Sequence, residues 1–203
     1  MVTTIIPTYN RPSLLIDRAI ASIYAQTVAD WSLVVVGDGT DARTVAAMTD
    51  LAAKDARVRF WNIPRPRYPR NESARWRVAG LDAINFGLAQ VTGGWVSILA
   101  DDDEYLPHHH AALRRASQDV DVVYGQSIYA ARAQIYGDHW PPEPLDIAQG
   151  SYIIRRSVVP AITRADCKVE AWDGRWWRQI IASGARFRRI TSVVHNFYPS
   201  HAW

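Results

Sequence analysis

The chain has 203 residues, enough for one domain with a full apolar core and barely enough for two. Its 48% hydrophobic and 21% charged residues are the balance of an ordinary folded protein, and a net charge of +3, from 23 basic and 20 acidic residues, is too small to argue for a nucleic-acid partner. No apolar run approaches the roughly 20 residues that cross a bilayer, no charged-then-apolar leader opens the chain, and a single cysteine excludes an internal disulfide framework; a cytoplasmic location is expected. In chain order, the β-branched run Val2 to Ile6 predicts a strand ended by Pro7-Thr8-Tyr9-Asn10. Leu15, Ile16, Ala19, Ile20 and Ile23 then recur at helical spacing after a Pro12-Ser13 start. Trp31 to Val36 predicts a second strand, stopped by Gly37-Asp38-Gly39-Thr40-Asp41, with a helix at about 43–54 and a strand at 57–61 after it. This alternation argues for a doubly wound, mostly parallel α/β sheet flanked by helices, Rossmann-like in layout.

Residues 62–77 are rich in arginine and proline and read as a loop, neither a regular helix nor an inner strand. Leu81 to Ala89 resumes helical spacing, and Gly93-Gly94 precedes a strand running into Asp101-Asp102-Asp103. Pro107 opens a further helix, on which His108, His109 and His110 are expected to form a solvated face, because adjacent helical residues do not converge on one point. Val120 to Tyr124 predicts another strand. Beyond about residue 125 the pattern is less periodic, with a Pro141-Pro142-Glu143-Pro144 loop. Nine tryptophans, several beside arginines, suit either stacking on sugars and bases or packing. Cys167 reads as a small core or surface residue.

Three consecutive carboxylates ending a buried strand are costly unless a cation meets them. A divalent metal carrying a phosphate-bearing ligand suits them, since Mg²⁺ and Mn²⁺ prefer hard oxygen ligands. In open parallel sheets the ligand lies beyond the carboxyl ends of the strands. Here those ends carry Tyr9, Asp38 and the acidic triplet, an arrangement for a nucleoside diphosphate built without a glycine-rich phosphate loop.

Taken together these segments resemble the family 2 glycosyltransferases of GT-A fold. The family's P-T-Y-N-R is Pro7-Thr8-Tyr9-Asn10-Arg11, and its S-I-x-x-Q-T is Ser22-Ile23-Tyr24-Ala25-Gln26-Thr27. Its D-D-G-S-x-D is Gly37-Asp38-Gly39-Thr40-Asp41, and its A-R-N-x-G-L-A is the helix Ala83 to Ala89. Its D-x-D-D-x-x-x-P runs from Ala100 to Pro107, and its E-D matches Trp172-Asp173 ahead of Gly184. The resemblance spans almost the whole chain as a single GT-A domain, residues 1–107 forming the nucleotide-sugar half and 108–203 the acceptor-side half. It implies a metal-dependent inverting transfer from a nucleoside-diphosphate sugar, most often UDP-linked, to an acceptor hydroxyl, with Mn²⁺ or Mg²⁺ as cofactor; Tyr9 and Asp38 also suit dTDP, and a glycan, a small molecule or a modified DNA base are all compatible acceptors.

By position, Pro7, Tyr9, Asn10, Arg11, Asp38, Arg77, Asp101 and Asp102 are implied as nucleotide-sugar contacts. Asp102, Asp103 and His195 are implied as metal ligands, and Asp173 as the general base, with Glu170 as its rival. Ile84 replaces the arginine of A-R-N, so a phosphate contact is expected from Arg75, Arg77 or the Arg65, Arg67, Arg70 loop. Two other readings use the same residues: a nucleotidyltransferase making a sugar nucleotide, which normally carries a glycine-rich loop, and a non-catalytic module gripping nucleic acid or glycan.

Overall fold

In the computed structural model, which describes residues 1–144 and 146–198, the first apolar runs become adjacent parallel strands. They are β1 (Val2–Thr8), β2 (Trp31–Asp38) and β3 (Val58–Ile63), in the order β3-β2-β1, with β4 (Trp95–Ile98) parallel on the other side of β1. The crossovers are helical. The first, α1, is three consecutive pieces, Pro12–Leu14, a π-helical Leu15–Ile20 and Ala21–Tyr24. Then come α2 (Ala42–Lys54), capped by Asp41 accepting from the Thr44 amide at 2.8 Å, and the pair α3 (Glu72–Trp76) and α4 (Leu81–Ala89). Every residue of β1 is buried, as a strand covered on both faces must be. Ile5, Val34 and Val36 point toward Leu81, Ile84 and Leu88, whereas Ile6, Leu33 and Val35 point toward Leu15, Ile20, Ile23 and Met48. Gly87 lets α4 approach the sheet closely, since a Cβ there would lie 2.7 Å from Ile5 Cγ2.

Past β4 the ladder reverses. β4 pairs antiparallel with β8 (Tyr152–Arg155), and β8 with β6 (Val122–Tyr129). β6 then runs parallel to β9 (Phe187–Phe197), which pairs antiparallel with the short β5 (Glu104–Tyr105), while β7 (Gln134–Tyr136) hangs off β6. The described residues therefore form one nine-stranded mixed sheet in the order β3-β2-β1-β4-β8-β6-β9-β5. Helix α5 (His109–Arg115) follows β5, and α6 (Trp172–Ala182) precedes β9. The tryptophans of α6 pack in the core. Trp176 and Trp177 lie 5.7 and 4.7 Å from the buried Tyr152 ring, and Trp172 donates its indole N–H to Ala79 O. Cys167 is buried.

Two local expectations change. The 62–77 segment is irregular only as far as its prolines reach; beyond them Asn71 accepts from the Ala74 amide at 2.9 Å and caps α3. His109 and His110 are fully buried rather than solvated. His109 stacks on Tyr105 at 3.7 Å and its Nε2 sits 2.9 Å from Gly150 O, while His110 Nε2 is 3.4 Å from Thr4 Oγ1. The helix face carrying them, with Leu113, is pressed on the sheet, and burial depresses both imidazoles, that of His110 to about 4.

Candidate functional site

The carboxyl ends of β2, β1 and β4 lie side by side and bring Asp38, Tyr9 and Asp101 to one edge of the sheet. Pro7, opposite Val36 in the β1–β2 ladder, is buried beneath them. Asp38 has no exposed surface. Its Oδ2 accepts a short hydrogen bond from the Tyr68 hydroxyl, and its Oδ1 is buried with no partner among the described residues. Burial pushes the Asp38 carboxyl above its ordinary range. Arg65 lays its guanidinium 3.3 Å from the centroid of the Tyr9 ring and donates to Asp38 O at 3.1 Å. Gly39, at φ +65°, makes room for it, because a Cβ there would fall 2.7 Å from the Arg65 amide nitrogen.

The acidic triplet is held from three directions. Asp101 accepts from Thr8 Oγ1 at 2.7 Å and from the Tyr9 amide at 3.4 Å, and burial raises it to about 6. Asp102 takes Arg11 Nη1 at 2.8 Å, and the same nitrogen is 3.5 Å from Asp101. Burial and the neighbouring Asp103 push Asp102 up as well. Asp103 accepts from the Tyr198 amide at 3.0 Å, and its Oδ2 lies 3.6 Å from Nε2 of the fully buried His195. His195 is oriented by Ser127, 3.0 Å from its Nδ1, and its Nε2 has no hydrogen-bond partner among the described residues. The Asp103 oxygen and the unpartnered His195 nitrogen are two donors of the kind a divalent cation takes, whereas Asp102 is turned onto Arg11 and its oxygens do not converge with them.

Asp173 stands in the first turn of α6, with its Oδ1 accepting from the Gly174 amide at 2.8 Å. Burial raises its carboxyl, and nearby Glu170 adds to the shift. Asp103 and Asp173 line the same pocket, about 230 Å³, with Tyr136, Pro144, Ile147, Ala148, Gln149 and Phe197. Glu170 is instead engaged by Arg178, its Oε1 2.7 Å from the guanidinium Nε.

The structure thus brings Pro7, Tyr9, Arg11, Asp38, Asp101 and Asp102 together at the carboxyl ends of adjacent strands, with His195 beside Asp103, and Asp103 and Asp173 lining one pocket. Asn10 is placed differently: at φ +53° its Oδ1 accepts from the Asp41 amide at 2.7 Å, bracing the loop after β2. Arg77 lies where α3 meets α6; its carbonyl accepts from the Trp172 amide at 3.0 Å, and its Nε is buried without a partner among the described residues. Tyr68 is the participant that sequence reasoning left unassigned; its signal was one aromatic inside a proline-rich loop. A separate set, Asp138, His139 and Asp146, brings three candidate ligand atoms within 4.8 Å of one another on the loop after β7, largely exposed and tied to the Gly137 and His139 amides through Asp146.

A family model described as "Glycosyl transferase family 2" matches residues 3–167. The chain belongs to glycosyl transferase family 2. Membership counts against the nucleotidyltransferase reading. This glycosyltransferase is 27% identical over 128 residues to the GalNAc(5)-diNAcBac-PP-undecaprenol beta-1,3-glucosyltransferase of Campylobacter jejuni, covering 63% of the chain and 38% of that protein. The chain therefore spans well under half the length of that curated relative. Among solved structures it shares its fold with S. aureus TarS, at TM-score 0.73 and 15% identity over 98% of this chain and 37% of that one. It also matches the mannosyltransferase PcManGT of Pyrobaculum calidifontis, crystallised with GDP-Man and Mn²⁺, at TM-score 0.65 and 19% identity over 97% of this chain and 56% of that one. Both are GT-A glycosyltransferases, the fold found here. Among the described residues no helix is long and apolar enough to cross a membrane.

Proposed function

We propose that this glycosyltransferase moves a sugar from a nucleoside-diphosphate donor, UDP- or dTDP-linked, to an acceptor hydroxyl, with inversion and with Mn²⁺ or Mg²⁺ bound. The observation that carries this reading is the pocket shared by Asp103 and Asp173, since Asp103 belongs to the same triplet as Asp101, which is tied to Thr8 and the Tyr9 amide. Structural neighbours support the donor class, TarS having been crystallised with UDP-GlcNAc and PcManGT with GDP-Man. The cytoplasm, where nucleotide sugars and divalent cations meet, is the proposed location.

The residues divide the work by position. Pro7, Tyr9 and Asp38 hold the nucleoside, and Asp101 faces the ribose. Arg11 and Arg77 are the cations offered to the diphosphate, with Asn10 bracing the loop beside them. Asp102, Asp103 and His195 would hold the metal, which when bound neutralises charge on the departing diphosphate as a Lewis acid. Asp173 takes the proton of the acceptor hydroxyl. The freed oxygen attacks the anomeric carbon, the bond from that carbon to the diphosphate oxygen breaks, and the diphosphate leaves with the electron pair. A carboxyl raised by burial is a stronger base than a free one, which suits proton removal near neutral pH. A glycan, a small molecule or a modified DNA base is the proposed acceptor class.

Calorimetric titration of the purified protein with UDP, dTDP, GDP and ADP, with Mn²⁺ and with EDTA, tests this reading. Metal-dependent binding of one diphosphate, lost in Asp102→Asn, is the expected result. Absence of binding to all four in the presence of metal overturns it.

A further inference from the structure

The neighbours' names leave the base open, since one was crystallised with a uridine and another with a guanosine nucleotide. The wall of this crevice is more selective. Asp38 is sealed from solvent, and its two oxygens are unlike. Oδ2 is taken by the Tyr68 hydroxyl, while Oδ1 has no partner among the described residues. Tyr68 is itself fixed: its hydroxyl accepts from the Gly80 amide at 3.3 Å, and Arg65 and Arg164 lie 5.1 and 4.7 Å from its ring centroid. The planar guanidinium of Arg65 rests on Tyr9 where a flat base would stack and donates to Asp38 O, so a base that takes its place on Tyr9 lies next to Asp38.

We infer that Tyr68 sets which base this glycosyltransferase accepts, by engaging one oxygen of Asp38 and leaving Oδ1 as the unengaged buried acceptor, which favours a base with one ring N–H, uracil or thymine. Guanine presents two adjacent donors on one edge, a ring N–H and an exocyclic amino group, and pairs best with both oxygens of a carboxylate. With Oδ2 already accepting from Tyr68, guanine's second N–H must share an engaged oxygen, so its two-donor edge meets a weakened bidentate partner, and a site of hydrogen-bonding groups discriminates by such poorly met partners. A base with one ring N–H satisfies Oδ1 and leaves the Tyr68–Asp38 bond intact. The inference rests on the reading of this crevice as the donor pocket.

The test is calorimetric titration, with Mn²⁺ present, of the wild-type chain and Tyr68→Phe with UDP, GDP and N3-methyl-UDP, whose ring nitrogen has no proton. Wild type is expected to bind UDP about tenfold or more tightly than GDP, and to lose about tenfold on methylation of N3. Tyr68→Phe, which frees Oδ2, is expected to shrink the UDP-over-GDP preference by about tenfold. A wild-type preference for GDP, equal binding of N3-methyl-UDP, or an unchanged ratio in Tyr68→Phe overturns the inference while UDP binding keeps the donor pocket. Failure of every nucleotide to bind wild type removes the donor pocket and the inference with it. Should Tyr68→Phe not fold, the wild-type comparison of UDP, GDP and N3-methyl-UDP still decides.

Discussion

The two parts of the sheet deliver their site residues by different routes. From β3 to β4 the strands are parallel, and each functional group sits just beyond a strand's carboxyl end: Tyr9 after β1, Asp38 at the end of β2, and the triplet after β4. Past β4 the ladders are mixed, and His195 comes from within β9 while Asp173 comes from the first turn of α6. A parallel α/β unit repeats one local rule, so its residues gather wherever the rule is followed. In the mixed part each contribution depends on pairings between distant segments, such as Ser127 with His195 across the β6–β9 ladder. The parallel part of the sheet is thus a product of local order, and the mixed part a product of long-range assembly.

The sharpest way to separate the two parts is to remove the carboxylate proposed as the base. Asp173→Asn should lower the transfer rate about 10³-fold while leaving donor affinity unchanged, read by steady-state kinetics beside calorimetry. Normal turnover in this variant would return the base role to another group. Asp102→Asn should do the reverse and weaken metal-dependent UDP binding by about 100-fold, measured by titration at fixed Mn²⁺. On the parallel side, Gly87→Ala should cost about 1–3 kcal/mol in urea unfolding, because its new methyl meets Ile5. Gly93→Ala, with open space around its Cβ, should stay within about 0.5 kcal/mol and serves as the control.

A pH series probes the acidic crevice more gently. Asp101 is raised to about 6 by burial. Between the ordinary carboxylate range and about pH 6 the folded chain holds a proton that the unfolded chain has released, so without metal its stability falls as pH rises through that window. A divalent cation favours the ionised carboxylates, so its stabilising effect should run the other way. The gain in Tm on adding Mn²⁺ should be larger at pH 7.5 than at pH 5, by scanning fluorimetry, and should be lost in Asp102→Asn; an equal gain at both pH values, or a gain kept in the variant, would place the ion elsewhere. The smallest effect belongs to Glu170→Gln, which breaks an ion pair with Arg178 and should change the transfer rate by less than about threefold.

The comparison also explains what could be read from the residues beforehand. The β-branched runs and their Gly, Pro and Asp stops located the parallel strands, and motif order brought Pro7, Asp38 and the triplet into one crevice. The buried histidines escaped that reading because periodicity tells which residues share a face, not what the face is packed against. His109 and His110 share theirs with Leu113, and only the sheet beneath α5 shows that the face is buried. Tyr68 escaped because a loop has no period; its contact with Asp38 depends on how the chain returns after β3. Gln26, a motif residue without an assigned role, is a tie: its side chain donates to Leu106 O and accepts from the His110 amide, holding the end of α1 to the turn before α5.

The pairing of β5 with β9 carries a kinetic consequence. The triplet leaves β4 early in the chain, yet Asp103 gains its amide donor from Tyr198 and its imidazole neighbour from His195, more than ninety positions later. During synthesis the parallel strands can assemble while those carboxylates still lack their closing partners. Contacts so distant in sequence form slowly, because loop closure precedes any energetic return. The acidic crevice should therefore be among the last parts of the molecule to mature, and a chain halted before β9 would carry the motifs without a finished centre.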